Sequence, residues 1–420
     1  MCEQDQLAFW TKLLNFDGFQ VVHEERTASD EPRRFTVIPK APVGLCPHCG
    51  QLCEDIHRRN ESDRVHDLPI GERAVEVRVR TYQFWCGGCD RAFTPPTPFL
   101  APGGHATERF LEQARQLIGF GDIANAAAFL KVSESSLGRW YYDYLERRQQ
   151  PPAGAPVKPI RQLGIDELSL KKKYRQFVAV LIDHTNRRVL DVLENRDKTS
   201  IVAYLAAGKA SGLFAHLQEV TTDMWDGYVT AVREVFGDTV RVTIDRFHVM
   251  KNFQEHLTDA RRQIQRELAK DEAQALKGTR WLWVTNWENL NATQQAELTQ
   301  LKERFPRLRE LVAYRETLRQ LFEDRTIADA ATGTERLKSW IESARQAKLK
   351  GLDAFCRMLE NWLDMIANYF VNRASNGRTE GFNHGLRNIL WRAFGMTNFS
   401  HFRLRVLDRF GWPKTDNQLT

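Results

Sequence analysis

The sequence predicts a multidomain α+β chain in which a mixed α/β core is interrupted by an all-helical insertion. Three observations carry this expectation. Two Cys-x-x-Cys pairs flank an alternating apolar and charged run near the N-terminus. After residue 157, the short β-rich runs Tyr174–Asp183, Arg188–Asn195 and Thr239–Asp245 alternate with helical patterns. From about Lys251 to Phe370 the β signals vanish, and apolar residues recur near the helical period of 3.6.

With 420 residues, 42% of them apolar, the chain can build roughly two to four packed units. Two stretches rich in Pro and Gly, Thr94–Gly104 and Gln149–Pro159, read as hinges. The expected parts are 1–100 as a zinc-binding unit, 101–150 as a helix-turn-helix, and 157–250 as the first part of the α/β core. Residues 251–369 follow as the helical insertion, and 370–420 as the second part of the core with a C-terminal helix.

Bulk properties exclude some classes. No apolar run reaches the roughly eighteen residues of a membrane span, and the opening MCEQDQLAFW is acidic where a secretory leader would be basic. The expectation is a cytoplasmic, nucleoid-associated protein with no membrane partner. Seven cysteines, an odd number, argue against a disulfide framework and for metal ligation by the paired ones. A net charge of +6 favours a polyanionic partner.

Cys46 and Cys49 lie in CPHCG, and Cys86 and Cys89 in CGGC, so each turn can bring two thiolates onto one ion. Structural Zn2+ on these four residues is the expected use. The strand-like run Glu72–Trp85 leads straight into the second pair, as in a zinc ribbon. A thioredoxin-like reading of CPHC is the rival, but such a site needs no second pair. Cys53, His48 and His57 stay open as substitutes for one ligand, while Cys2 and Cys356 stand outside any clear pair.

From Thr107 to Arg148 three short helices are expected, with Asp122 and Ser133 as N-caps and Gly121 as a break. Ala126, Ala127 and Ala128 allow close helix approach, and Ser135, Ser136 and Arg139 would face outward from the third helix. That is the layout of a DNA-reading helix pair, although helical hairpins also serve proteins that never touch DNA.

Two-metal phosphoryl transfer needs carboxylates converging on two divalent cations about 4 Å apart. Asp166 closes RQLGID, Asp223 closes QEVTTD, and Glu380 lies at or near the start of a helix in SNGRTEGFNHGLRNILWRAFG. These three are distant in sequence but can meet at one edge of a mixed sheet.

The blocks GIDELSLKKK, TTDMWDGY, DRFHVMKN and SNGRTEGFNHGLRNILWRAFG resemble, in that order, those of the ISL-three transposases, and the likeness runs from the cysteines to FRLRVLDRF. The resemblance implies a zinc-binding N-terminus, a helix-turn-helix and a ribonuclease-H-like core. It implies a catalytic triad of Asp166, Asp223 and Glu380 holding two Mg2+ or Mn2+ ions, and a helical insertion before the Glu. Two departures leave the triad untouched. KKKY follows the first Asp where a glycine is expected, and Gly385, Leu386 and Arg387 replace a more lysine-rich stretch.

Asp245 also ends a strand and competes for the second position. Asp223 is preferred because the helix after it suits the fourth strand of that fold, which leaves Asp245 and His248 to orient the ligands or the DNA. Between Arg373 and Arg409 seven arginines stand among Phe382, Trp391, Phe394, Phe399 and Phe402. Arg378, Arg387 and Arg392 are expected on DNA phosphates, and the aromatics chiefly in the core.

The resulting expectation is an enzyme that binds the terminal inverted repeats of an insertion sequence, cuts a strand of double-stranded DNA and joins the freed 3′-hydroxyl to target DNA, as a homodimer or larger assembly. A zinc-bearing DNA-binding regulator is one alternative, and gives Glu380 no purpose. A nuclease or junction resolvase, which never joins ends, is another.

Overall fold

Valines alternating with charged residues over Val75–Arg80 build the central strand of an N-terminal sheet, the valines buried and the charges turned outward. The computed structural model describes residues 3–148, 158–171, 176–349, 351–374, 377–393 and 398–412, with the backbone alone at 63, 171 and 377–380. Most of the expected hinge Gln149–Pro159, most of KKKY and Phe394 lie outside them. Two compact units emerge: residues 1–153 with 388–409, and residues 154–387 with 410–420.

The first unit opens with α1 (Glu3–Leu14) and seven strands: β1 (Phe19–Glu25), β2 (Arg33–Pro39), β3 (Gly44–Leu45), β4 (Leu52–Cys53), β5 (Ile56–Ile70), β6 (Arg73–Cys86) and β7 (Arg91–Phe93). The main sheet runs β1-β2-β6-β5, with β7 paired to the end of β6. Trp10 and Leu14 of α1 pack on its apolar face with Phe35, Val37, Val77 and Val79. Three helices follow: α2 (Glu108–Phe120), α3 (Ile123–Leu130) and α4 (Glu134–Arg147). Thr107, Asp122 and Ser133 each accept a backbone N–H three residues on, so every helix starts at a capped turn. Lys131 takes the left-handed conformation, φ 58°, that ends α3.

The stretch Thr94–Gly104 is packed into this unit. Phe99 stacks on Phe16 at 4.2 Å and meets Phe19 edge-on at 5.0 Å. The β5 carboxylate Asp67, fully buried, accepts from Thr107 Oγ1 and Arg109 Nε, both at 2.7 Å, and forms a second bond with Arg109. Arg109 also donates to Leu14 O at 2.8 Å, so one guanidinium joins α1, β5 and α2.

The second unit begins with β8 (Gln162–Lys171), β9 (Gln176–Asp183) and β10 (Arg188–Leu193), then α5 (Lys198–Ala210), β11 (Glu219–Thr222), α6 (Asp226–Phe236) and β12 (Arg241–Ile244). The strand order is β10-β9-β8-β11-β12. The first two pairings are antiparallel and the last two parallel. The parallel strands read as continuous apolar or Thr-rich runs, as strands covered on both faces must.

Strand β12 runs into α7 (Arg246–Glu267), followed by α8 (Lys270–Ala275), α9 (Arg280–Val284), α10 (Ala292–Arg304), α11 (Pro306–Glu323), α12 (Ala330–Gln346), α13 (Leu352–Asn361), α14 (Leu363–Ala367) and α15 (Tyr369–Asn372). Their core holds Phe253, Trp283, Phe322, Trp340, Phe355 and Phe370. Two buried arginines serve helix ends: Arg261 donates to Leu276 O at 2.7 Å and Arg315 to Trp283 O at 3.2 Å. The chain then enters α16 (Gly377–Arg392) and α17 (Phe399–Phe410).

The chain beyond α15 divides between the units, and residues 388–409, which carry α17, belong to the first. Leu404 enters the core of α2, α3 and α4, Arg405 lies over Tyr141 and Tyr142, and Asp408 pairs with Arg115 at 3.3 Å. The amphipathic pattern of α17 shows that it has a partner, not which one. Among the described residues, no helix is long and apolar enough to cross a membrane.

The Asp67 tie yields an asymmetric expectation for stability. Arg109→Ala should destabilise the chain by roughly 3 kcal/mol, the low end for a buried carboxylate left without its cation, because Thr107 still donates to it. Asp67→Asn should cost less, about 1–2 kcal/mol, because the stranded guanidinium reaches solvent. Urea unfolding of both variants checks the order, and equal losses would contradict it.

Candidate active site and thiol cluster

In the first unit, the short β3–β4 ladder and the β6–β7 turn each carry one Cys-x-x-Cys pair. The sulfurs of Cys46, Cys49, Cys86 and Cys89 all lie within 4.8 Å of one another. Cys46 stands 3.9 Å from Cys89, and Cys49 3.6 Å from Cys86. This cluster can hold a metal ion. Burial opposes ionisation of Cys86, but the backbone N–H of Cys89 and the thiols of Cys46 and Cys49 outweigh it and hold Cys86 below the ordinary thiol range. Cys53 is buried beside the four and donates to Gln51 O at 3.6 Å, while His48 and His57 are exposed.

In the second unit, strand register does the work that sequence separation hides. Pairing of Thr221 with Gly164, in parallel, sets the next positions level, so Asp223 stands beside Asp166. Pairing of Thr222 with Ile244 likewise sets Asp223 beside Asp245. Asp223 and Asp245 thus directly follow the ends of β11 and β12, level with Asp166 in β8, on backbones roughly 5 Å apart per strand. Asp166 was expected at a strand end. It lies instead in the middle of β8, opposite Val180, because β8 continues to Lys171.

The close packing beneath has its own signature. A Cβ on Gly164 would lie 2.4 Å from His184 Nε2, so only glycine admits that buried ring, which also meets Thr221 Oγ1 at 3.3 Å. Asp166, 6% exposed, accepts from the Glu167 N–H at 2.7 Å and from Asn383 Nδ2 at 2.8 Å. Burial raises its carboxyl above the ordinary range, and those two donors oppose the shift. Asp223 is pushed up to about 6, first by burial, then by the charges of Asp166 and Glu167. Glu167 pairs with Arg196, whose guanidinium lies 4.6 Å over Phe177. The Tyr228 hydroxyl is buried without a hydrogen-bond partner among the described residues, with Asp223, Glu167 and Asp166 raising its pKa further after burial.

Asp245 is buried and caps α7, accepting from the Phe247 N–H at 3.1 Å. His248, half-buried in the first turn of α7, is held below its ordinary pKa by burial, with Asp245 pulling the other way. Glu380 and Arg378 sit in α16, but their side chains lie outside the described residues. Position 380 precedes Asn383 by three residues, and therefore shares its helix stripe. Arg387 is exposed in the same helix.

In the first unit Ser135 and Arg139 are exposed on α4, Ser136 is half-buried, and Arg392 donates to Gly119 O at 3.0 Å. Sequence reasoning did not single out Asn383, Tyr228, Arg196 or His184. Only Asn383 left a signal, its spacing from Glu380.

The model of the ISL3-type DDE family, described as a transposase, matches residues 163–406, more than half of the chain. The transposase for insertion sequence element IS1001 from Bordetella parapertussis is 24% identical over 94% of this chain and 96% of its own length. The transposase for IS1557 from Mycobacterium tuberculosis is 26% identical over 56% of this chain and 57% of its own. The chain belongs to the ISL3 family of insertion-sequence transposases and is an enzyme of that kind.

The raised Asp223 carboxyl sets a pH dependence for the metal-free chain. Its folded value of about 6 lies above the ordinary 3.8, so the folded state holds the proton more tightly. The destabilising contribution is absent below about pH 4, grows with pH and is complete above about pH 6. In EDTA at about pH 7.5, Asp223→Asn should therefore be the more stable by about 1–3 kcal/mol, and the gain should vanish towards pH 4. Parallel melts across that range read it directly; a loss at the higher pH would mean that the carboxylate is not strained there.

Proposed function

We propose that this chain is a DDE transposase that binds the terminal inverted repeats of an insertion sequence and catalyses divalent-metal-dependent strand cleavage and strand transfer. The observation that carries the reading is the register that sets Asp166 level with Asp223 and Asp245, which follow the ends of the adjacent strands β11 and β12. The strand order, with two antiparallel pairings followed by two parallel ones, supports a ribonuclease-H-like core. The connected helices from α7 to α15 support the expected insertion before Glu380.

The donor set fits hard divalent cations. Two buried carboxylates stand close enough that the charge of Asp166 raises the pKa of Asp223, and carboxylate oxygens are the ligands such ions take. Asp166, Asp223 and Glu380 would hold a pair of Mg2+ or Mn2+ ions, which when bound supply Lewis acidity for the attacking and leaving oxygens. Trp225 and Tyr228, in edge contact at 4.4 Å, follow Asp223 at the start of α6. Asp245 joins strand to helix and keeps β12 and α7 in place. Arg378, Arg387 and Arg392 are assigned to DNA phosphates, with Arg392 already reaching the end of α2.

The helices α2 to α4 support a helix-turn-helix, with Ser135 and Arg139 reading bases. For the thiol cluster the proposed ion is Zn2+. At a Zn–S distance of about 2.3 Å, four tetrahedral thiolates lie roughly 3.8 Å apart. The separations of the two close pairs, 3.6 and 3.9 Å, bracket that value. Synapsis of two DNA ends calls for at least a homodimer.

Metal analysis of freshly purified protein should find about one Zn2+ per chain, falling well below one in Cys86→Ser. Protein without zinc would remove the ribbon from this reading.

The catalytic test uses end DNA, target DNA and Mg2+. Asp166→Asn, Asp223→Asn and Glu380→Gln should each abolish cutting and joining yet still bind ends, because affinity comes from phosphate and base contacts. Asp245→Asn should slow the reaction only ~10–100-fold. If Asp223→Asn stays active while Asp245→Asn is dead, the second ligand is Asp245. Cutting without any joined product by the parent chain would make it a nuclease.

A further inference from the structure

The Asn383 amide is satisfied on one side only. Nδ2 donates to Asp166 Oδ2 at 2.8 Å, whereas Oδ1, on a side chain 4% exposed, is buried with no hydrogen-bond partner among the described residues. Native folds rarely leave a buried acceptor unpaired, so Oδ1 calls for a donor that the described residues do not supply. Exchanging the two amide atoms does not help, because it would set one acceptor against another at Asp166. The nearby Tyr228 hydroxyl is a second buried polar group without a partner, among the same carboxylates.

We infer that Asn383 is a positioning residue of the metal site: its Nδ2 aims the Asp166 carboxylate, and its Oδ1 accepts a hydrogen bond from a water in the hydration shell of a divalent cation. This rests on the proposed carboxylate site and extends it. Mg2+ and Mn2+ keep several waters when carboxylates bind them, and cation-bound water is a strong donor. A neutral amide supplies one donor and one acceptor at fixed separation. A lysine or a carboxylate at this position would supply only one of the two.

The placement on α16 adds a second consequence. Asn383 follows position 380 by three residues on one stripe, so its bond to Asp166 keys that stripe to β8 and sets the helix rotation that Glu380 shares.

The test needs no catalysis. Mn2+ binding to the full, DNA-free chain is measured by calorimetry, and melting temperature is recorded with and without Mn2+. Asn383→Ala should bind Mn2+ ~10–100-fold more weakly than the parent and gain less melting temperature from it. Asn383→Asp keeps the size but faces Asp166 with a carboxylate, so it should melt lower without metal and gain more from Mn2+ than the parent does. A residue that merely packs would lower both melts equally and leave affinity unchanged, which would overturn the inference.

Should the alanine variant not fold, the isosteric Asn383→Asp carries the test, and a Mn2+ increment equal to the parent's overturns it. Asp166→Asn separates the two levels. If it loses Mn2+ while Asn383→Ala keeps full affinity, only the role of Asn383 is wrong. If the parent takes up no Mn2+, or Asp166→Asn binds it equally well, the carboxylate site fails and the inference falls with it.

Discussion

One buried carboxylate holds the second unit in register. Glu219, 1% exposed at the start of β11, accepts from Gln162 on β8 at 3.0 Å, from Thr243 on β12 at 2.6 Å, and from Asn372 at the end of α15. A single side chain on β11 therefore ties its strand to both neighbours, β8 and β12, and to the exit of the helical insertion. Parallel strands are weakly specified by apolar pattern when both faces are covered, so a slip of one residue would cost little in burial. It would, however, strand Glu219 without donors, and a buried charge left unpaired is among the costlier errors a fold can make. The same register sets Asp166, Asp223 and Asp245 level about four residues further along.

The helical insertion is constrained at both ends. It leaves the sheet at Asp245, whose side chain caps α7, and returns where Asn368 donates to Val242 O at 2.8 Å and Asn372 reaches Glu219. Between these anchors the helices keep their own aromatic core. The insertion can thus vary in its interior while delivering α16 to the same edge of β8, where Asn383 meets Asp166.

How much of this was legible depended on range. The cysteine pairs were readable because the two thiols of each pair lie three residues apart, and the N-caps Asp122 and Ser133 because a cap is a local signal. Asp223 was legible through the strand before it and the helix after it. Asp166 was misplaced at a strand end because RQLGID stops where the apolar run becomes mixed, although pairing with β9 carries the strand on. Glu219, His184 and Asn383 depend on partners tens to hundreds of residues away, and no local pattern of residue types encodes such pairings. The destination of α17 was hidden for the same reason, since an amphipathic helix advertises an apolar face without saying whose it covers.

That destination makes the first unit discontinuous. Between Arg147 and Phe399 the ribosome must add roughly 250 residues, which at 5–20 residues per second takes on the order of ten to fifty seconds. Throughout that interval Tyr141, Tyr142 and Leu145 await the helix that brings Leu404, Arg405 and Asp408. A nascent chain therefore closes its earliest-made unit only after residues 154–387 of the second have been made, and any transcript or frame that ends among them releases a first unit whose core was never closed.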